Sequence, residues 1–235
     1  MSIRRSLVTG ANRGLGLEFV RQLLARGDRV VATCRHPGKA TALNALAGEH
    51  PGRLHVLPLD VADPRAIAEL QRELLLLADD GDRLDLLVNG AGVLHSGERF
   101  GSVSAVNLDD SFRTNAMGPF LLTQALATRL ADGARVANIT SQLGSIANTT
   151  RFGTPSYDIS KAAQNMATAL LAKALAPRGI VVLALHPGWA QTEMGGDNAT
   201  VPAGDSVAGL LRVIDAAGVA DSGGFRDWRG ETLPW

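Results

Sequence analysis

Ser6-Leu7-Val8-Thr9-Gly10-Ala11-Asn12-Arg13-Gly14-Leu15-Gly16 is the stretch of this 235-residue chain that decides its fold. Its first three residues are an apolar run that predicts a buried strand. Residues 15–26 predict a helix, because apolar side chains recur there at helical spacing: Leu15, Phe19 and Leu23. A glycine-rich turn lies between the two. Strand, glycine turn and helix in this order form the context in which a glycine pattern becomes a phosphate site.

Each glycine of the turn has a separate task in such a unit. Gly10 permits the tight turn, Gly14 lets the backbone approach a pyrophosphate, and Gly16 allows the helix to pack closely on the strand. The N-terminus of the helix then presents free N–H groups and a positive dipole to the phosphates. The glycine spacing differs from the common GxGxxG pattern, so the prediction depends on the position of the turn after a strand.

Apolar runs and amphipathic segments alternate along the rest of the chain. Strands are predicted at residues 29–34, 54–59, 84–88, 134–139, 180–185 and, briefly, 223–225. Helices are predicted at about residues 37–48, 63–79 and 203–217, over a segment holding Asn115 and residues 120–130, and from Tyr157 to about residue 176. The alternation predicts a Rossmann-type, doubly wound α/β fold with a mostly parallel seven-stranded sheet and helices on both faces. No linker or repeat interrupts residues 1–235, which therefore form one predicted domain.

Composition excludes several classes of protein. The net charge is +0, so no electrostatic attraction favours nucleic acid or an anionic membrane. The single cysteine excludes an internal disulfide and a thiol metal cluster, and no metal site is predicted. The apolar run near the N-terminus is too short for a signal peptide or a membrane span. A cytoplasmic protein is expected.

The end of the second strand indicates the preferred dinucleotide. In this fold it meets the adenosine ribose, where an acidic residue would hold the 2′-hydroxyl of NAD. The chain has Cys34 and then Arg35 there, with no carboxylate nearby. Arg35 and Arg13 could clamp a 2′-phosphate, because a guanidinium matches phosphate geometry, or they could be two solvated arginines. We therefore predict NADP(H) as the preferred cofactor, with NAD(H) possible.

Two further strand ends face the same predicted crevice. Asn89-Gly90-Ala91-Gly92 is a second glycine turn, after the fourth strand, and would lie beside the first. Asp60 follows the third strand and could hydrogen-bond an adenine amino group or serve only as a turn residue.

The stretch Ser156 to Lys161 contains the only tyrosine and one of three lysines. Residues four apart share a helix face, so the Tyr157 phenol and the Lys161 ammonium would lie side by side. A free phenol has a pKa of about 10, and a nearby cation is expected to lower it. The pair makes sense as a tuned general acid, although a solvated lysine one turn from a tyrosine would leave the same pattern.

Four motifs in order resemble the short-chain dehydrogenase/reductase family across almost the whole chain: TGANRGLG at residues 9–16, NGAG at 89–92, Ser141, and YDISK at 157–161. The loop HPGWAQTEMGG from His186 and the terminal Leu233-Pro234-Trp235 look like the branch of C-factor, sniffer and carbonyl reductases.

The resemblance implies a role for each matching residue. Tyr157 would protonate a carbonyl oxygen, Ser141 would polarise that carbonyl, Lys161 would hold the nicotinamide ribose and lower the phenol pKa, and Asn115 would join a water relay. The other residues implied to contact the cofactor are Gly10, Asn12, Arg13, Gly14, Leu15, Gly16, Arg35, Asp60, Val61, Asn89, Gly90, Ala91, Gly92, Pro187, Gly188, Trp189 and Thr192.

Three departures from the family pattern stand out. Gly90 replaces a second asparagine in the turn after the fourth strand, which is expected to loosen that turn. Extra residues separate Ser141 from Tyr157, which makes Ser145 a rival serine, although Ser141 directly ends its strand. The segment between Thr192 and Ser206 is short and polar, so an open pocket is expected.

The resemblance favours an NADP(H)-dependent oxidoreductase that interconverts a small-molecule carbonyl and an alcohol. The alternative is a cofactor-binding signalling protein of C-factor type with little turnover. A sugar epimerase also uses a Tyr–Lys pair, but too few residues follow Gly188 for its substrate domain. Four residues are either pocket-lining or simple packing: Trp189, Met194, Phe152 and Asn148. A homodimer or homotetramer built on the Asn115 and Tyr157 helices is implied, with Leu121, Leu122, Ala125 and Leu126 available for it or for the core.

Overall fold

The computed structural model describes residues 3–77 and 83–235. Seven strands form one sheet in the order β3-β2-β1-β4-β5-β6-β7, and all six neighbouring pairs are parallel. The predicted Rossmann-type fold is confirmed. The strands are β1 Arg5–Thr9, β2 Arg29–Cys34, β3 Leu54–Pro58, β4 Leu84–Asn89, β5 Leu130–Ile139, β6 Val181–His186 and β7 Phe225–Asp227.

Helices cover both faces of the sheet, as predicted. Their bounds are α1 Gly14–Ala25, α2 Thr41–Glu49, α3 Pro64–Leu77, α4 Ala105–Phe112, α5 Gly118–Leu126, α6 Pro155–Leu175 and α7 Ala203–Ala216, with a π-helical segment, Arg113–Met117, between α4 and α5. Apolar side chains of α1, α2 and α7 form the core on one face. Those of α3, α5 and α6 form the core on the other. No helix in the described part of the chain is both long and apolar enough to span a membrane.

Several predicted boundaries differ from the structure; the last strand, predicted at residues 223–225, lies at Phe225–Asp227. The helix expected at residues 37–48 begins as a short 3-10 turn, Pro37–Lys39, and becomes α-helical only at Thr41. The helix expected to reach residue 130 ends at Leu126, because Leu130 already begins β5 and is fully buried. β5 accordingly begins at Leu130 and not at residue 134, where the strand was predicted to begin. Gly133, which has a φ of 75°, interrupts the apolar run from which the strand was predicted. The end predicted for α3, Asp79, lies outside the described residues.

The strand order reverses between β1 and β4, which creates the crevice in which open α/β sheets bind ligands. Ser6, Leu7 and Val8 pair with Leu86, Leu87 and Val88. The carboxyl ends of these two strands are therefore level, and the two glycine-rich turns leave the sheet side by side.

Candidate active site

The first glycine turn is packed too closely to accept side chains. A Cβ on Gly16 would lie 2.3 Å from the carbonyl oxygen of Gly10, and one on Gly10 would lie 2.8 Å from Cα of Ala91. Gly10 and Gly14 also have positive φ angles of 66° and 55°. No side chain caps the first turn of α1, so its N–H groups are available to an anion.

The second turn, at residues 89–92, is held by a hydroxyl of the first. Thr9 Oγ1 accepts hydrogen bonds from the N–H groups of Gly90 and Ala91, at 3.0 and 3.1 Å. A Cβ on Gly90 would lie 2.9 Å from the carbonyl oxygen of Thr9. The turn is therefore not loosened by Gly90; the close approach of the first strand requires glycine there. The Asn89 side chain points into the core, where its amide donates to Thr123 Oγ1 and Asn138 Oδ1.

Tyr157 and Ser141 meet where β5 ends and α6 begins. Both are buried, and the Ser141 hydroxyl lies beside the phenol, close enough to affect its ionisation. Burial raises the pKa of Tyr157 to about 12; the Ser141 hydrogen bond opposes this rise, and the Asp158 carboxylate adds to it. The geometry thus pairs a neutral phenol with a second hydroxyl, two donors that a carbonyl oxygen can use.

Lys161 lies one turn further along α6, with its Nζ 5.5 Å from the centroid of the Tyr157 ring. Its ammonium donates to the carbonyl oxygen of Ile139 at 2.8 Å and to Gln164 Oε1 at 2.9 Å. Burial lowers the pKa of Lys161 to about 7. The pKa of the phenol is nevertheless raised rather than lowered, because burial of the phenol outweighs any lowering by this cation.

Asn115 lies in the π-helical segment and is fully buried. Its side chain accepts from the N–H of Val93 and donates to the carbonyl oxygen of Val93 and to Ser160 Oγ. It therefore ties the chain after the second glycine turn to α6. A Cβ on Gly92 would lie 3.3 Å from Asn115 Oδ1 and 3.8 Å from Lys161 Nζ, which places the amide and the ammonium beside the same glycine. The water relay of Asn115 stays a prediction.

The rival serine has a different set of contacts. Ser145 Oγ donates to the carbonyl oxygen of Pro234 at 2.7 Å and accepts from the N–H of Asn148 at 3.2 Å. The carbonyl oxygen of Trp235 accepts from the N–H of Ala147, and its ring stacks on Phe225 with centroids 5.3 Å apart. Ser145 thus anchors the C-terminal segment, whereas Ser141 contacts the phenol.

The loop after β6 passes over the first glycine turn. Pro187 is held by a hydrogen bond from Ser206 Oγ to its carbonyl oxygen. Gly188 has a φ of 74°, and a Cβ there would lie 2.8 Å from Trp228 Nε1. A Cβ on Gly14 would lie 3.5 Å from Thr192 Cγ2, which places Thr192 directly over the turn.

The loop after β6 exposes apolar side chains, whereas the histidine that precedes it is buried. The Trp189 ring is half exposed and donates from Nε1 to the carbonyl oxygen of Gly195, so it is an apolar surface at the loop rather than core packing. Met194 is also half exposed. His186, just before the loop, is buried; burial lowers its pKa to about 4, and Asp227 opposes this.

Four residues were predicted to contact the adenosine part of the cofactor, and they differ in their exposure and in their hydrogen-bond partners. Arg35 is exposed and makes no hydrogen bond or ion pair with the described residues, whereas Arg13 pairs with the exposed Glu193 of the loop after β6. Asp60 Oδ1 accepts from the N–H of Ala62, which is the turn alternative. Val61 is buried against the start of α5. The adenine contacts of Asp60 and Val61 stay predictions.

Sequence reasoning missed three residues that shape the site. Thr9 holds the second glycine turn, and Gln164 holds Lys161. The buried Glu98 accepts hydrogen bonds from the Oγ and N–H of Ser156, in the first turn of α6, at 2.7 and 3.1 Å. Burial acts to raise the pKa of Glu98, but these hydrogen bonds outweigh it and the pKa is lowered. Of these three residues, only Gln164 could have been found from the sequence, because it lies three residues after Lys161 and therefore on the same helix face.

The loop that carries Glu98 also meets the segment before α6. Phe100 and Phe152 form an edge-to-face pair with centroids 5.8 Å apart, and both rings are largely exposed. Phe152 is therefore a surface residue, while Asn148 is tied to Ser145 through its backbone.

Ionisation of the only tyrosine provides a direct test of this electrostatics. Tyrosinate absorbance reports Tyr157 alone, and the folded protein should titrate with a pKa of about 12, above the ordinary 10.0. Ser141→Ala should raise the midpoint further, since the serine favours the phenolate. Burial of the neutral phenol stabilises the fold below pH 10, and this contribution is lost as the pH rises toward 12. A midpoint at or below the ordinary value, with circular dichroism still native, would contradict the prediction.

Comparison with known proteins agrees with this geometry. The family model of short chain dehydrogenases matches residues 4–201. The "C-signal" protein of Myxococcus xanthus is 46% identical over 154 residues, which are 65% of this chain and 93% of the relative. The 1-hydroxy-2-glutathionyl-2-methyl-3-butene dehydrogenase of Rhodococcus sp. (strain AD45) is 32% identical over 233 residues, covering 97% and 98% of the two chains.

Solved structures give the same result over the full chain. The NADPH-bound carbonyl reductase from chicken fatty liver superposes with a TM-score of 0.93 at 37% identity. The carbonyl reductase Sniffer of D. melanogaster does so with 0.94 at 32% identity. Both alignments cover 100% of each chain. A matching family model, relatives along the whole length and a Tyr–Lys pair beside two glycine turns lead to one conclusion: the chain belongs to the short-chain dehydrogenase/reductase family.

Proposed function

We propose that this protein is an NADP(H)-dependent oxidoreductase that reduces the carbonyl group of a small molecule to an alcohol, or catalyses the reverse reaction. One observation carries the proposal: the Ser141 hydroxyl lies beside the buried Tyr157 phenol, with Lys161 one turn away, at the carboxyl edge of the sheet. Two hydroxyls and a buried cation at this edge suit a reaction in which a carbonyl oxygen gains a proton.

The residues present fit a dinucleotide. Gly10, Gly14 and Gly16 leave a cradle that side chains would fill, and the first turn of α1 is uncapped. Thr192 and the loop after β6 cover this cradle, and Gly92 and Lys161 lie at the other glycine turn. When bound, the cofactor supplies the hydride; the protein orients it and polarises the substrate.

The protein's own part of the reaction is a proton transfer. Ser141 donates a hydrogen bond that polarises the substrate carbonyl, and Tyr157 gives its phenolic proton to the oxygen as the alcohol forms. The phenol is protonated before the reaction, because burial disfavours its anion. The Lys161 ammonium stabilises the phenolate that remains and holds the nicotinamide ribose. In this proposal Asn115 links Lys161 to solvent through a water relay.

Arg35 supports the choice of NADP(H) over NAD(H). Its guanidinium has no competing partner among the described residues, and no carboxylate follows β2. Cys34 is buried in the core, whereas the next residue, Arg35, is exposed to solvent. The chicken carbonyl reductase of the same fold is NADPH-bound.

A signalling role is the second candidate, and one finding favours it. The relative from Myxococcus xanthus that is 46% identical is named C-signal. If the protein has a signalling role, the same site binds the cofactor but catalyses little turnover.

An oligomer is part of the proposal, built on the expected helices, those that carry Asn115 and Tyr157, but through other side chains. Leu122 and Leu126 are fully buried in the core, and Leu121 and Ala125 pack against it. Apolar side chains are instead exposed on α4 and α6: Val106, Phe112, Ile159, Met166 and Leu170. We propose that this face joins two copies, as a dimer or within a tetramer, in the cytoplasm.

Removal of the phenolic proton tests the reaction. Tyr157→Phe should lower NADPH-dependent reduction of a good carbonyl substrate by at least about 10²-fold, because the general acid is lost. NADPH affinity should change little. Ser141→Ala should cause a comparable loss, and Ser145→Ala, the matched control, should be milder. Near-normal turnover of Tyr157→Phe contradicts the assignment, and a wild type inactive on a broad carbonyl panel favours signalling.

Cofactor titration at fixed ionic strength tests the role of Arg35. Arg35→Ala should weaken NADPH about tenfold and leave NADH nearly unchanged, because only NADPH carries the 2′-phosphate. Arg212→Ala removes an exposed arginine from α7 instead and serves as the control. Equal wild-type affinities for the two cofactors would refute the prediction.

Sedimentation velocity tests the apolar face. The wild type should sediment as a dimer or tetramer, and Met166→Glu should dissociate it, because the charge would be buried in the interface. Circular dichroism should remain native, since Met166 is largely exposed in the single chain. A wild type that is monomeric at every concentration removes this part of the proposal.

A further inference from the structure

Lys161 is a buried cation held by neutral groups. It is 3% exposed, and its ammonium donates to two oxygens, the Ile139 carbonyl and Gln164 Oε1. No carboxylate of residues 3–77 or 83–235 forms a salt bridge with it. Because a buried charge is costly unless it is hydrogen-bonded, these two acceptors decide where the ammonium lies and how firmly it keeps its proton.

The surroundings of α6 offer no other charged partner to Lys161. None of the titratable groups around the N-terminal half of this helix forms a hydrogen bond or an ion pair with the ammonium in the described part of the chain, although the Tyr157 ring centroid lies 5.5 Å from it. On α6 they are Tyr157 and Asp158; from the loop after β4, His95 and Glu98; from α4, Asp109 and Asp110; and from the end of β6, His186.

Gln164 is an unfavourable residue for packing alone. Its side chain is fully buried, Oε1 accepts from Lys161, and Nε2 has no hydrogen-bond partner among the described residues. A buried amide donor without a partner destabilises a fold, and an apolar side chain of similar length would avoid that cost. Fold stability therefore does not account for glutamine at this position.

Other buried polar residues of α6 bind structural partners. Thr168 Oγ1 donates to the carbonyl oxygen of Gln164 and accepts from Asn138 Nδ2. Asn165 joins Thr140 Oγ1 to the carbonyl oxygen of Gly144. Within the described part of the chain, Gln164 is the one side chain that accepts a hydrogen bond from the Lys161 ammonium.

We propose that Gln164 is a positioning residue for Lys161, whose side-chain oxygen holds the ammonium beside Tyr157 and keeps it charged. The inference rests on the proposed function for its effect on the reaction, though not for its effect on Lys161. Burial brings the pKa of Lys161 down to about 7, so its charge at neutral pH is sensitive to the loss of one acceptor. A less charged Lys161 stabilises the Tyr157 phenolate less.

The charge of Lys161 can be measured without turnover. The chain has three lysines, Lys39, Lys161 and Lys173, so NMR of side-chain-labelled lysine gives three titrating signals, and Lys161→Arg identifies the relevant one. Gln164→Met keeps the length of the side chain and removes the acceptor. It should lower the Lys161 midpoint by about one pH unit, because a hydrogen bond to a charged group is lost. Thr168→Ser, the control, removes a buried methyl group on the same helix but keeps the hydroxyl and its two hydrogen bonds, so it should leave the midpoint in place.

Enzyme kinetics provide a second measurement of the change in the charge of Lys161. In alcohol oxidation Gln164→Met should lower kcat about tenfold at neutral pH with KM nearly unchanged. The loss should shrink at higher pH, because the apparent pKa of Tyr157 rises when the cation is weakened. Thr168→Ser should keep the wild-type pH profile. A wild type without Tyr157-dependent turnover refutes the proposed function, and the NMR titration still decides the role of Gln164.

Gln164→Asn is the second variant, since it keeps an amide in the site but is one methylene too short to reach the ammonium. A lowered Lys161 midpoint in either folded variant supports the inference. An unchanged midpoint in a folded variant overturns it. Failure of both variants to fold also overturns it, because the role of Gln164 would then be structural.

Discussion

A row of buried polar side chains holds α6 against the carboxyl ends of β4 and β5, and the site depends on it. Asn89 donates to Asn138, Asn138 donates to Thr168, and Thr168 donates to the carbonyl oxygen of Gln164. Each group is out of water, so a shift of α6 along the sheet would leave several donors unpaired at once. This constraint gives α6 one register, and in that register Tyr157 meets Ser141 while Lys161 reaches the end of β5.

The opposite side of the crevice is held by backbone packing rather than by side chains. Gly10 and Gly16 allow the two turns and α1 to approach within distances that any Cβ would prevent, and Thr9 bonds the second turn directly. Rigid turns next to uncapped N–H groups suit an anionic ligand, because little order is lost when it binds. The loop after β6 covers this side through Thr192 and through the pair of Arg13 with Glu193.

Much of the architecture could be read from the chain because it depends on local patterns. Strand runs, helical periodicity and glycine turns follow from steric and hydrophobic preferences of neighbouring residues, and they were sufficient for the sheet and both turns. Boundaries failed where a long-range contact overrides the local pattern. Leu130 joins β5 because it fills the core, although Gly133 interrupts the apolar run. The sequence favours Ser141 over Ser145 because Ser141 ends its strand, and the different surroundings of the two serines, the phenol for one and the C-terminal segment for the other, arise from the tertiary structure.

The sequence by itself determined the order of the elements, the two glycine turns, and the pairing of Tyr157 with Lys161 on one helix face, because these features arise within a few residues of chain. Only the tertiary structure decided the ionisation of that pair. Burial raises the pKa of the phenol and lowers that of the ammonium, and burial is a property of everything packed around α6. The contacts of Thr9 and Glu98 were decided in the same way, because their partners come together only when distant segments fold against one another.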